Sequence, residues 1–67
     1  MDGSQLKAAR LAAGLSAREL AEAAGVSHRS IQRAEAKAVQ QTTYRRYMDA
    51  AQRVLRQRLD ALTALDL

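Results

Sequence analysis

The stretch SARELAEAAGVSHRSIQRAEA, residues 16–36, constrains this chain more than any other part of it. Ser16 is followed three positions later by Glu19, the S-x-x-E spacing in which a hydroxyl and a carboxylate cap a helix start reciprocally. Leu20, Ala21 and Ala24 then give a narrow apolar stripe at helical spacing. Gly25 stands where the chain must turn through left-handed backbone, which glycine alone adopts without a steric penalty. Val26 plugs the turn, Ser27 caps a second helix, and Ile31 and Ala34 form that helix's inner stripe. The pattern predicts two short helices crossing steeply, with Ala21 small enough for the close approach.

The outer face of the second helix would carry His28, Arg29, Ser30, Gln32 and Arg33. A generic helical hairpin accounts for the apolar stripe but not for so many long donors on one outer face. A helix that packs on one side and offers such side chains on the other describes a helix-turn-helix unit, whose second helix enters the DNA major groove. Gln32 suits adenine N6 and N7, and Arg29 and Arg33 suit guanine O6 and N7. His28 completes the base-reading set. Ser27 and Ser30 are expected to reach phosphates or bases.

Residues 6–35, LKAARLAAGLSARELAEAAGVSHRSIQRAE, resemble the Cro/cI-type (XRE) repressors. That family's pattern runs L-x-x-x-R-x-x-x-G-L-S-x-x-x-L-A-x-x-x-G-V-S-x-x-x-I-x-x-x-E. Leu6, Arg10, Gly14, Leu15, Ser16, Leu20, Ala21, Gly25, Val26, Ser27, Ile31 and Glu35 fall in register with it. The resemblance implies an all-α domain of four or five helices, usually dimeric, that represses by occupying operators. It also implies a structural ion pair between Arg10 and Glu35, neither of them a DNA contact. Arginine's planar fork can meet a carboxylate bidentately and so fix one helix against another. Three positions depart from the family. Ala17 replaces a phosphate-binding Gln that often opens the second helix, Ala34 replaces a larger apolar residue, and no glycine breaks the chain after the fourth helix.

A chain of 67 residues implies one small domain, residues 1–67, with the helix-turn-helix unit at 16–36 and a dimerising helical region at 43–66. There is no Phe, Trp, Cys or Pro, and alanine dominates the apolar count. This composition favours close helix packing but buries little area per residue. Charge is uneven. Residues 27–58 hold Arg29, Arg33, Lys37, Arg45, Arg46, Arg53, Arg56 and Arg58 against only Glu35 and Asp49, whereas residues 1–26 balance. The basic surplus begins at the outer face just described and suits a polyanion. Arg53, Arg56 and Arg58 read equally well as a solvated face. Phosphate contacts are expected from Ser16 and Ala17 at the start of the second helix. Others are expected from Lys37, Gln40, Gln41, Thr43 and Arg45 or Arg46.

The periodicity predicts helices at about residues 4–13, 17–24 and 28–36, then a loop at about 37–42. Thr42 or Thr43 would cap a last helix running to about residue 65. Leu55, Leu59 and Leu62 recur along it, with Leu65 beyond, and Tyr44, Tyr47, Ala51 and Val54 form an adjacent stripe. Two stripes on one helix call for two partners. One is expected to face the domain's own core. The leucine stripe is expected to pair with a second copy, the alternative being a tail folded back as a fifth helix.

Catalysis lacks its parts. His28 is the single histidine, no glycine-rich phosphate loop exists, and no cysteine is present for a disulfide or a thiolate metal site. No cofactor, metal or small-molecule effector is expected, and no apolar run reaches the roughly 20 residues that span a bilayer. The sequence therefore reads as a cytoplasmic regulator, bacterial or phage-encoded, whose partners are a double-stranded inverted-repeat operator and a second copy of itself. An antitoxin or other protein-binding helical module is the alternative. A single-strand binder is disfavoured by the lack of aromatic stacking platforms.

Overall fold

The computed structural model describes residues 2–65 and contains four helices: α1 (Gly3–Ala12), α2 (Ala17–Ala24), α3 (His28–Ala36) and α4 (Gln41–Leu65). The all-α fold expected from the periodicity is what forms. α1 packs on α3, α2 packs on both α3 and α4, and α4 also touches α1. The core is thin: Leu6, Leu15, Leu20 and Ile31 are its large fully buried side chains, joined by Ala21, Val39, Tyr47, Ala50 and Ala51. Each large aliphatic contributes roughly 1.5–3 kcal/mol by leaving water.

Two helix starts differ from the expectation. α1 begins at Gly3, with the Asp2 carboxylate accepting from the Ser4 N–H at 3.0 Å. The cause is tertiary. The Gly3 N–H donates to the Lys37 carbonyl at 2.7 Å, and Asp2 and Ala38 form an isolated antiparallel bridge, which closes the C-terminal end of α3. A Cβ built on Gly3 would overlap the backbone oxygens of Ala34 and Lys37, so glycine is required there. Gly3→Ala is expected to cost on the order of 1–3 kcal/mol, read as a lowered urea midpoint.

α4 begins at Gln41 rather than after a Thr42 or Thr43 cap, because the Gln40 carbonyl already accepts the Tyr44 N–H at 2.9 Å. Both threonines therefore lie inside its first turn. The helix then runs unbroken to Leu65, the last described residue, so no fifth helix folds back among the described residues; Asp66 lies outside them. At 1.5 Å per residue α4 is about 37 Å long, and it sets the long dimension of a molecule measuring 44 × 19 × 18 Å. Tyr47, Ala50 and Ala51 face the core; Leu55 is half buried, while Leu59, Leu62 and Leu65 are 64%, 60% and 81% exposed.

Candidate nucleic-acid interface

Local chemistry sets the angle between α2 and α3. At the start of α2 the Ser16 hydroxyl accepts from the Glu19 N–H at 3.0 Å, and the Glu19 carboxylate accepts from the Ser16 N–H at 2.9 Å. Gly25 ends α2 with φ +71°, and the following Val26 N–H donates back to the Ala21 carbonyl at 3.0 Å. The Ser27 hydroxyl then caps α3 by accepting from the Ser30 N–H at 3.2 Å, and the two serine hydroxyls lie 2.9 Å apart. Ile31 is wholly buried beneath the turn, which directs the opposite face of α3 outward. His28, Arg29, Gln32 and Arg33 are all exposed, and Ser30 is half buried beside them.

A largely buried ion pair anchors this unit to α1. Arg10 Nε donates to Glu35 at 2.6 Å, Nη2 donates to the same carboxylate at 3.1 Å, and Nη1 donates to the Leu15 carbonyl at 2.9 Å. Both side chains are only 9% exposed. Hydrogen bonding to Glu35 raises the Arg10 pKa, so the guanidinium stays charged at any accessible pH. No buried side-chain nitrogen or oxygen among the described residues lacks a partner.

Above this pair lies a groove lined by Lys7, Ala17, Gln32 and Ala36, with Arg10 and Glu35 among its walls. It brings Ala17 and Gln32 together, two positions singled out in the sequence, and adds Lys7, which was not. Lys7 is exposed one turn before Arg10. Its charge is balanced within residues 1–26, so only the packing of α1 on α3 reveals its place.

The remaining phosphate candidates are scattered. Lys37, Gln40, Gln41, Arg45 and Arg46 are exposed around the α3–α4 connection, and Thr43 is half buried. Ser16 has both its hydroxyl and its N–H engaged in the capping box, which leaves a carboxylate at the start of α2. Two of the C-terminal arginines are drawn toward α2: Arg58 pairs with Glu19, and Arg53 donates to the Ala23 carbonyl at 3.4 Å. Arg56 is exposed.

Glu19 is held below the usual carboxylate range, first by the Ser16 N–H and then by the Arg58 charge, and Asp2 is lowered by the Ser4 N–H. A carboxyl whose folded pKa is depressed contributes stability that is complete above its unfolded value and is lost as pH falls through the folded value. Thermal melts are therefore expected to hold from neutrality to about pH 5 and to decline below it as these two caps protonate.

Among the described residues no cluster of His, Cys, Asp or Glu could hold a metal ion, and no helix is long and apolar enough to cross a membrane. Two capped helices joined through a left-handed glycine, the second exposing arginine, glutamine and histidine, define a helix-turn-helix DNA-binding domain. A helix-turn-helix family model matches residues 6–45. The chain belongs to that family, the XRE/cI-type helix-turn-helix proteins, and is a DNA-binding regulator of this type. Comparison with curated proteins and with solved structures gave no match.

Proposed function

We propose that the protein is a repressor that binds an inverted-repeat operator as a two-fold dimer and occludes a promoter. The observation that carries this reading is the exposed face of α3, where His28, Arg29, Gln32 and Arg33 stand opposite the buried Ile31. With α3 in the major groove, Gln32 would read adenine, Arg29 and Arg33 would read guanine, and His28 would contact a neighbouring base edge. Ser16, Ala17, Ser27 and Ser30 would approach one stretch of backbone, Ala17 by its main-chain N–H and the serines by their hydroxyls. Lys37, Gln40, Gln41, Thr43 and Arg45 or Arg46 would clamp another. The exposed leucines of α4, Leu59, Leu62 and Leu65, together with the half-buried Leu55, would join the two copies. Dimerisation doubles the readout, since one short helix specifies too few base pairs to find a single site in a genome. Operator occupancy would follow protein concentration.

Arg33→Ala or Gln32→Ala is expected to cost about 1–3 kcal/mol at each half-site and to relax preference at one base position there. Lys37→Ala is expected to weaken all duplexes about equally and to lower the salt slope by about one unit per half-site. Titration of operator and scrambled duplexes at several salt concentrations separates the two classes. An Arg33→Ala protein with wild-type affinity and selectivity would overturn the assignment of α3.

A further inference from the structure

Along α4, Tyr44, Met48, Leu55, Leu59 and Leu62 form one stripe, the first three half buried and the last two exposed. Beside it runs a second stripe, Arg45, Asp49, Gln52, Arg56 and Asp60, at steps of four, three, four and four residues and exposed throughout. In the N-terminal half of the helix the surface is hollowed into a depression lined by Gln41, Tyr44, Arg45, Met48, Asp49 and Gln52. Each α4 thus carries an open, partly apolar depression toward one end and uncovered leucines toward the other.

The charged stripe states which occupant fits. From N- to C-terminus its signs run plus, minus, plus, minus at residues 45, 49, 56 and 60. Read in reverse, every sign is opposite. The couples 45/60 and 49/56 also share one midpoint, between Gln52 and Arg53, so a single antiparallel register satisfies both at once. A parallel in-register pairing would instead set like charges side by side, which is unfavourable. Among the described residues none of these four side chains takes part in an ion pair; the pairs that form are Arg10–Glu35 and Arg58–Glu19.

We propose that a second copy of this chain docks antiparallel on this face, about a two-fold axis passing between Gln52 and Arg53. Arg45 meets Asp60 of the second copy and Asp49 meets its Arg56, each couple forming twice by symmetry. In this register Leu59 and Leu62 of each copy lie over the other's depression, beside Tyr44 and Met48. The inference rests on the dimeric reading above and deepens it by fixing orientation and register. It also assigns Arg45 to the dimer, which leaves Arg46, on another side of the helix, for the DNA backbone.

Sedimentation of the full chain tests it. Asp49→Arg alone and Arg56→Glu alone each bring like charges together twice and are expected to weaken self-association on the order of tenfold. An equimolar mixture of the two variants restores opposite charges at both couples and should return to wild-type affinity, as should the double variant. Arg45→Glu mixed with Asp60→Arg gives the same test at the outer couple. Circular dichroism should show unchanged helix content, since all four side chains are exposed. A wild-type dimer whose mixed variants associate no more tightly than the separate ones would overturn the register while leaving the dimer standing. A wild-type monomer at tens of micromolar would overturn both.

Discussion

Arg10→Ala is expected to remove a large share of the domain's folding stability. The guanidinium makes three hydrogen bonds, two to Glu35 and one to the Leu15 carbonyl, and both charged side chains are 9% exposed. Its removal leaves a nearly buried carboxylate and a backbone acceptor without their donor. Breaking a buried pair from one side costs about 3–5 kcal/mol. A domain of this length has only about 3–10 kcal/mol in total. Arg10→Lys should fall between, because a point charge cannot span both carboxylate oxygens and the carbonyl. Urea unfolding monitored by circular dichroism ranks the three proteins. An Arg10→Ala midpoint equal to wild type would show that the pair does not hold α1 to α3.

The other large effect is expected from Leu59→Glu combined with Leu62→Glu. These side chains are 64% and 60% exposed, so the domain's own fold should survive the change. In a dimer each would contribute roughly 1.5–3 kcal/mol by burial. Losing two from each copy should weaken association by two orders of magnitude or more. Operator binding should fall with it, because each remaining monomer reads one half-site. Sedimentation and a gel-shift titration on the same preparations measure both. Unchanged association with intact helix content would place the dimer contact elsewhere.

The limits of α2 and α3 were legible because their signals are local. Ser16 with Glu19, Gly25 and Ser27 each act within one turn of the chain, and α2 starts and stops, and α3 starts, where those residues place them. Features made by distant segments were not legible. The start of α1 depends on Gly3 fitting against the carbonyls of Ala34 and Lys37, across more than thirty residues of sequence. Thr42 and Thr43 looked like caps on propensity alone, yet the chain re-enters helix as soon as it leaves the Asp2–Ala38 bridge and Val39 is buried. Ala50, wholly buried, went unmarked because alanine stands out on neither face of an alanine-rich helix.

The candidate interface divides in the same way. Exposure of His28, Arg29, Gln32 and Arg33 follows from helical period once Ile31 is inside. The place of Lys7 beside Ala17 and Gln32, and the capture of Arg58 by Glu19 at the start of α2, arise only from the packing of α1 and α4. These two features alter the electrostatics of the surface around the start of α2, Lys7 doing so beside Gln32 of α3. They shape backbone affinity more than base choice.

Selection of bound sequences from a pool of random duplex DNA, at physiological salt, tests sequence-specific recognition by α3 most directly. The expected result is an enriched inverted repeat with half-site centres about 34–36 Å, one helical turn, or a multiple of that apart. The same selection with Gln32→Ala should lose preference at one base pair in each half and keep the rest. A wild-type pool that remains unenriched after several rounds, or that Gln32→Ala and Arg33→Ala enrich identically to wild type, would contradict base reading by this helix.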